Sequence, residues 1–402
     1  MSNRIFITGV GIITSIGKNY SENFNSLISE RTGFGAIEIL KTEHHHTHPS
    51  CEIKLHDSEL RALAGVEDGL GFTRTTSLGL IAAKEAMQSA GLTDQEIRNS
   101  GLISATSAGG IREFEKYYYE LKDLSLHGAF EEFVDTGNPG EHCERMAEHF
   151  NIKKYIGTIS TACSSSANAI MMGAQLIKNK IVDRAICGGT ESLSKFTING
   201  FNSLMILDTE HCRPFDKSRK GLNLGEGAAY LILESEEVML RAKRVPLAEL
   251  MGYANANDAF HQTASSPEGM GAYHAMDRAI CAAGIFPNQI DYVNAHGTAT
   301  ENNDLSEGLA LEKLFNGKVP MFSSTKPYTG HTLAAAGSVE AAFCLLGMKH
   351  GLVFPNLNYK TPMPELQARP EISLLKNKHL KYVLSNSFGF GGNTSSLLFG
   401  GV

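Results

Sequence analysis

No apolar run in this 402-residue chain approaches the roughly 20 residues that cross a bilayer, so no membrane partner is expected. There is no Cys-x-x-Cys pair and no framework of small loops between cysteines. The seven cysteines (51, 143, 163, 187, 212, 281 and 344) are odd in number and dispersed, which argues for free thiols in a reducing compartment. The opening residues run straight into a strand-like segment, Arg4-Ile5-Phe6-Ile7, without the layout of a signal or transit peptide, and the expected location is the cytoplasm. Positive charge is not in excess: 36 Lys and Arg stand against 43 Asp and Glu, a net charge of -7, which disfavours nucleic acid as a partner. An acidic partner therefore needs a local basic patch, for which Lys217, Arg219 and Lys220, then Arg241, Lys243 and Arg244, are the candidates. No low-complexity linker separates independent domains.

What the chain does have is glycine, 40 in all, consistent with tight turns and close backbone approaches. Residues 4–11 read as a buried strand ending in a glycine turn, residues 68–91 carry a helical pattern through Leu78, Ile81, Ala82 and Ala86, and a short strand follows at 102–106. This alternation predicts an α/β layered architecture. An internal echo sharpens it. A strand leads to Cys163, a helix over 164–178 and a glycine-ended strand at 184–190. Later, a strand at 321–325 leads to His331, a small-residue helix over 337–349 and a strand with glycines at 382–392. Two copies of one design place both helices side by side in a central layer, with halves at 1–246 and 247–402. The tract His44-His45-His46-Thr47-His48 lacks carboxylate or cysteine partners, and reads as a polar surface loop with no metal expected.

The chemistry concentrates in a few turns. Cys163 stands in Thr161-Ala162-Cys163-Ser164 at a strand-to-helix junction, where free N–H groups and the helix dipole are expected to lower a thiol pKa. His296 follows the strand 290–293 and precedes Gly297-Thr298, a way to present an imidazole to a cleft. His331 precedes a small-residue helix whose N-terminus favours the neutral ring, and Lys326, five residues earlier, is placed to orient a carboxylate or an imidazole. The loop Ser385-Asn386-Ser387-Phe388-Gly389-Phe390-Gly391-Gly392-Asn393 lacks the Gly-Lys-Ser/Thr ending of a phosphate loop, but its amides can complete an oxyanion hole and its glycines can let Phe390 move. One thiol and two imidazoles point to covalent acyl transfer.

The ordered motifs Thr-Ala-Cys-Ser (161–164), Arg-Pro-Phe-Asp-Lys (213–217), Gly-Glu-Gly-Ala (225–228), Asn-Ala-His-Gly-Thr (294–298), Ser-Ser-Thr-Lys (323–326), Thr-Gly-His (329–331) and Asn-Ser-Phe-Gly-Phe-Gly-Gly (386–392) resemble the β-ketoacyl-acyl-carrier-protein synthases, KAS I/II group, over nearly the whole chain. The resemblance implies the thiolase-like five-layered α-β-α-β-α fold built from two similar halves. It implies that Cys163 takes an acyl chain from carrier-protein phosphopantetheine, and that His296 and His331 promote decarboxylation of a malonyl thioester. It further implies an oxyanion hole at the amides of Cys163 and Phe390, a gate at Phe390, the family lysine at Lys326, and an acidic pair behind the site at Asp304 and Glu307. Phe388 and Ala108 become acyl-pocket candidates. No metal or organic cofactor is implied. The partners implied are the acyl carrier protein and a second subunit, as a homodimer or as a heterodimer with a paralogous chain-length factor.

Departures from the family pattern bear on the substrate. The family's closing Gly-Gly-Thr-Asn is here Gly391-Gly392-Asn393-Thr394, with the polar pair exchanged. Ala108 stands where fatty-acid enzymes place a bulky aliphatic residue, which opens acyl-pocket room if the position lines it. Residues 133–145 are polar for a lining that meets saturated chains, and no dense basic cluster for a docking carrier precedes residue 80, where the stretch 55–79 holds only Arg61 and Arg74. These features raise a polyene, aryl polyene or other polyketide pathway beside fatty-acid elongation. A thiolase needs a second cysteine near the last glycine loop, and residues 385–395 have none. KAS III and chalcone-synthase-like enzymes carry asparagine where His331 stands, and a silent chain-length factor usually lacks the nucleophile.

Overall fold

The computed structural model describes residues 4–67, 71–123 and 125–402. The start of the helical pattern at Asp68, and Met1 to Asn3, lie outside the described residues. Ten strands form one continuous sheet: β1 (Ile5–Thr14), β2 (Gly101–Ala105), β3 (Tyr155–Ile159), β4 (Arg184–Glu191), β5 (Gly227–Ser235), β6 (Ala248–Asn257), β7 (Tyr292–Asn294), β8 (Met321–Ser323), β9 (Tyr382–Gly389) and β10 (Asn393–Gly400). Their spatial order is β3-β2-β4-β5-β1-β6-β10-β9-β7-β8. Read inward from each end, both groups of five run third, second, fourth, fifth, first. The two groups meet where β1 pairs antiparallel with β6 through Phe6↔Glu249 and Ile7↔Ala248.

The period-two alternation of the strands divides the apolar residues between layers. Ala229, Leu231 and Leu233 of β5, Ala185 and Cys187 of β4, Val383 of β9 and Leu397 and Phe399 of β10 face a central core. Their neighbours Ala228, Tyr230, Ile232 and Ile186 face an outer core with helix Arg74–Ser89. Leu384 and Leu398 face a second outer core with helices Met270–Ala282 and Glu301–Leu314. The central core holds helices Ser165–Lys178 and Ala336–His350, packed on each other and against strands of both halves. The result is the expected α-β-α-β-α layering.

Small residues allow that middle layer to close. A Cβ on Gly173 would stand 2.1 Å from Cys187 Sγ, and one on Gly337 would stand 2.9 Å from the backbone nitrogen of Ala167. Gly9 and Gly11 correct the sequence reading of a glycine turn. Both lie inside β1, where a Cβ would meet the carbonyl oxygens of Ala86 and Ala82 at 2.4 and 2.1 Å. They are glycine because helix Arg74–Ser89 lies directly on the strand.

Candidate active site

The turn after β3 carries the thiol. Ala162 adopts φ +53°, a left-handed conformation that costs an alanine on the order of 1 kcal/mol. It is held by Ser165, whose Oγ accepts from the Thr161 amide at 2.8 Å and donates to the Ala162 carbonyl at 2.5 Å. Cys163 follows, buried, one residue before the N-cap Ser164. Phe390 lines the same cavity as the sulfur. Gly389 keeps the two segments together, since a Cβ there would stand 2.7 Å from the Thr161 carbonyl oxygen and 3.2 Å from the Cys163 nitrogen.

The expected low thiol pKa is not what the fold produces. Burial pushes Cys163 up to about 12; Lys326 and the Phe390 amide pull it down, while Glu191 and Glu340 add to the rise. Desolvation outweighs the helix terminus, because the thiol sits inside the protein and the helix begins two residues later. The neutral state expected of His331 does hold, through burial and the nearby Lys326 charge, which drive its pKa well below the ordinary range. Its ring precedes a short 3-10 turn, Leu333–Ala335, before helix Ala336–His350 begins.

His296 lies with its ring centroid 5.4 Å from that of His331, nearly perpendicular, and 5.5 Å from Phe388. Burial, the Lys326 charge and His331 lower its pKa well below the ordinary range. Lys326 is buried; its Nζ lies 3.2 Å from His296 Nδ1, bonds the His296 carbonyl, and pairs with Glu340 Oε1 at 2.5 Å. An ammonium only donates, so Nδ1 of His296 is the acceptor and its proton resides on Nε2. Glu340 was not among the sequence candidates. A signal for it existed, as the one charged residue in the otherwise small and apolar stretch 333–347.

Asp304 and Glu307, on the first two turns of helix Glu301–Leu314, bind the loop behind His296 and touch neither imidazole by hydrogen bond. Glu307 accepts from the amides of His296 (2.9 Å) and Gly297 (2.8 Å) and from Asn386 (3.0 Å), and burial raises its pKa to about 7. Asp304 accepts from the amides of Phe215 (2.7 Å) and Ala299 (3.1 Å).

Cys163, His296, His331, Phe388 and Phe390 line one cavity of about 380 Å³. The lining is mixed, with Thr298, Thr300 and Asn302 beside Leu204, Met205 and Lys220. The Phe390 ring stacks on Phe201 at 5.6 Å between centroids. Ala108 is not part of this lining. It lies half-buried in a turn whose amides at 107 and 108 donate to the buried Glu191 carboxylate, and the following glycines pack on residues 136–139. His142 of that polar stretch is turned inward, toward Ser104 and the Pro139 carbonyl.

Several basic candidates are engaged elsewhere. Arg74 is fully buried, pairing with Glu226 at 2.6 Å and Asp57 at 2.8 Å, so it offers nothing to a docking partner. The Arg219 guanidinium donates to the carbonyls of Asp216, Thr300 and Glu301, and Arg244 pairs with Glu96 and Glu234. Lys217, Lys220, Arg241 and Lys243 remain exposed. Among the described residues no group of three or more His, Cys, Asp or Glu is placed to hold a metal, and no helix is long and apolar enough to cross a membrane.

Comparison with known proteins places this geometry. A model of the beta-ketoacyl synthase N-terminal domain matches residues 2–238, and one of the C-terminal domain matches residues 247–360. The 3-oxoacyl-[acyl-carrier-protein] synthase 2 of Staphylococcus aureus (strain N315) is 32% identical over 409 residues, spanning 99% of this chain and 98% of that protein. Among solved structures, the ishigamide ketosynthase/chain length factor superposes with a TM-score of 0.90 at 27% identity, covering 99% of each chain. The ketosynthase ApeO, solved in complex with its chain length factor ApeC from Xenorhabdus doucetiae, superposes with a TM-score of 0.83 at 29% identity, covering 99% of this chain and 98% of that one. With both halves matched and the likeness spanning the chain, this protein belongs to the β-ketoacyl synthase family.

Proposed function

We propose that this chain is a 3-oxoacyl-[acyl-carrier-protein] synthase, joining an acyl group held on Cys163 to a malonyl unit with loss of carbon dioxide. The observation that carries the reading is the convergence of one thiol and two neutral imidazoles on one cavity that Phe390 also lines.

In the first half-reaction the Cys163 sulfur attacks the acyl thioester, the bond to the carrier thiol breaks, and the thiol proton ends on the departing carrier sulfur. A thiol held at about 12 stays protonated until the thioester fills the cavity, so the proton leaves only as the new bond forms. In the second, a malonyl thioester places its carbonyl oxygen between the two imidazoles. His296 donates from Nε2, fixed as the protonated nitrogen by Lys326 at Nδ1, and His331 donates its own N–H. Two neutral donors stabilise the enolate left when carbon dioxide departs. That carbon attacks the acyl carbonyl, whose oxygen receives the N–H groups of Cys163 and Phe390, and collapse expels the Cys163 thiolate, which regains a proton. Asp304 and Glu307 hold the His296 loop, and the glycines around Phe390 serve its movement as a gate. No metal or organic cofactor enters these steps.

Two features support the partners. The cavity lining combines hydroxyl and amide groups with Lys220 and exposed Met205, suited to a phosphopantetheine arm and its acidic carrier. Among the described residues β3 pairs with β2 alone, leaving one edge available to a second subunit, as a homodimer or beside a paralogous chain-length factor. Ala108 lies outside this subunit's cavity, so the preference for a polyene or aryl acyl chain over a saturated one rests on the polar 133–145 segment packed against its turn.

Intact-mass spectrometry with a panel of acyl-carrier proteins, C4 to C16 saturated, polyenoyl and aryl, tests this. A gain confined to Cys163 is expected, greatest with the unsaturated or aryl groups. No gain with any of them, alone or with a paralogous partner, defeats the reading.

A further inference from the structure

The exchanged polar pair at the end of the last glycine loop has a structural consequence. Asn393 Oδ1 accepts three side-chain hydrogen bonds from three separate elements. Ser164 Oγ, in the nucleophile turn, donates at 2.6 Å; Asn168 Nδ2, on helix Ser165–Lys178, donates at 2.9 Å; and Asn255 Nδ2, on β6, donates at 2.7 Å. The network closes on itself. Asn168 Nδ2 also donates to Thr161 Oγ1 at 2.8 Å, while its Oδ1 accepts from Asn255 (3.0 Å) and from Ser395 Oγ (2.9 Å). The one Ser164 hydroxyl proton is shared between Asn393 Oδ1 and the Thr161 carbonyl, 2.7 Å away across the strained Ala162. The neighbouring Thr394 takes no part and points instead to the Ala256 carbonyl.

Between Asn393 and Phe390 stand only Gly391 and Gly392, at φ +81° and +79°. Both occupy the left-handed region that glycine alone enters without penalty, and their backbones bond the 257–262 segment, Gly391 N–H to the Gln262 carbonyl at 2.7 Å and Asp258 N–H to the Gly392 carbonyl at 2.8 Å. Asn393 therefore fixes one end of the Phe390 loop to the turn that carries Cys163.

We infer that Asn393 is a positioning residue for the condensation reaction, keeping the amides of Cys163 and Phe390 in register while the Phe390 ring swings about the two glycines. The inference rests on the reading that Cys163 is acylated. An oxyanion site tolerates little displacement, and a shift near 1 Å costs about 100-fold in rate. The acceptor oxygen does the holding, since the single bond that Asn393 donates, to Asn255 Oδ1, is long at 3.4 Å. An aspartate at this position keeps every strong bond. A leucine keeps the volume and loses them all.

The test is single-turnover acylation of the full-length protein, followed by intact mass, for Asn393→Asp, Asn393→Leu and Asn393→Ala, with thermal unfolding in parallel. Asn393→Leu and Asn393→Ala should acylate about 10- to 100-fold more slowly at an unchanged melting temperature, and Asn393→Asp should recover to within about 3-fold. Acylation at the wild-type rate in Asn393→Ala, or no recovery in a folded Asn393→Asp, overturns the proposal. Hydrogen exchange keeps this separate from the condensing reading. If the wild type takes no acyl group, faster amide exchange over 161–168 in Asn393→Ala but not in Asn393→Asp still upholds the positioning role, and unchanged exchange overturns it.

Discussion

Lys326 and Glu340 form a buried ion pair, 2.5 Å between Nζ and Oε1, and the same ammonium lies 3.2 Å from His296 Nδ1. One cation thus sets the tautomer of an imidazole while a carboxylate compensates its charge. Removing either partner strands the other, at a cost of about 3 to 5 kcal/mol, whereas replacing both by apolar side chains is close to neutral. Glu340→Gln and Lys326→Ala are each expected to lower unfolding stability by several kcal/mol in denaturant titrations. The double variant Lys326→Met with Glu340→Leu should recover most of that stability and none of the condensing activity, because the His296 proton is no longer directed to Nε2. A double variant that condenses normally removes Lys326 from the mechanism.

Cys163→Ala separates the two half-reactions. Under the proposed function the variant loses the sulfur that would carry the acyl group but keeps the His296 and His331 donors proposed to act on the malonyl thioester. Condensation is expected to vanish, while release of carbon dioxide from malonyl-carrier protein persists. Substituting alanine at both His296 and His331 in that background should abolish the release. Normal condensation by Cys163→Ala would contradict covalent catalysis at this residue.

The layered architecture was legible in the chain because strand and helix alternate with clear periods, and because 155–191 and 321–389 repeat one strand-helix-strand design. The residues now gathered at the cavity were legible for a different reason: each sits in a small-residue turn that has little structural purpose otherwise. What escaped reading depends on partners distant in sequence. Arg74 looked like an exposed charge, yet its carboxylate partner Glu226 lies 152 residues away. Gly9 and Gly11 looked like a turn because the helix that needs their missing Cβ atoms arrives some 70 residues later. The Cys163 pKa was read from the helix it precedes, which is local, and decided by burial, which is not.

The open edge of β3 carries a prediction about assembly. Ile156 is 43% exposed on this strand, and an unpaired edge with an apolar side chain invites pairing with another chain. On the proposed assembly through this edge, the wild type is expected to scatter light as a dimer and Ile156→Asp as a monomer at micromolar concentration, with condensing activity lost in proportion. A monomeric wild type, or a variant of unchanged mass in solution, removes this edge from any assembly.

His142 predicts how stability changes with acidity. Its Nδ1 donates to the Pro139 carbonyl at 2.7 Å, so Nε2 is the acceptor, bonded by Ser104 Oγ at 2.7 Å; Ser104 in turn accepts from Tyr230. Burial lowers its pKa from 6.5 to about 4, and the bond to Pro139 opposes this only in part. The folded chain therefore keeps this ring neutral at pH values where the unfolded chain protonates it. Its contribution is fully present above about pH 6.5 and falls away as the pH drops toward 4, by about 3 kcal/mol in total. His296 and His331 are also held neutral and act in the same direction, so the test compares slopes. His142→Gln keeps a polar group in the Ser104 pocket and cannot titrate. Denaturant unfolding at pH 7.5 and pH 5 should show a smaller loss for the variant, by about 2 kcal/mol at pH 5. Equal losses in the two proteins would mean that His142 takes up its proton in the fold as it does in the unfolded chain, so that at pH 5 Ser104 accepts from it.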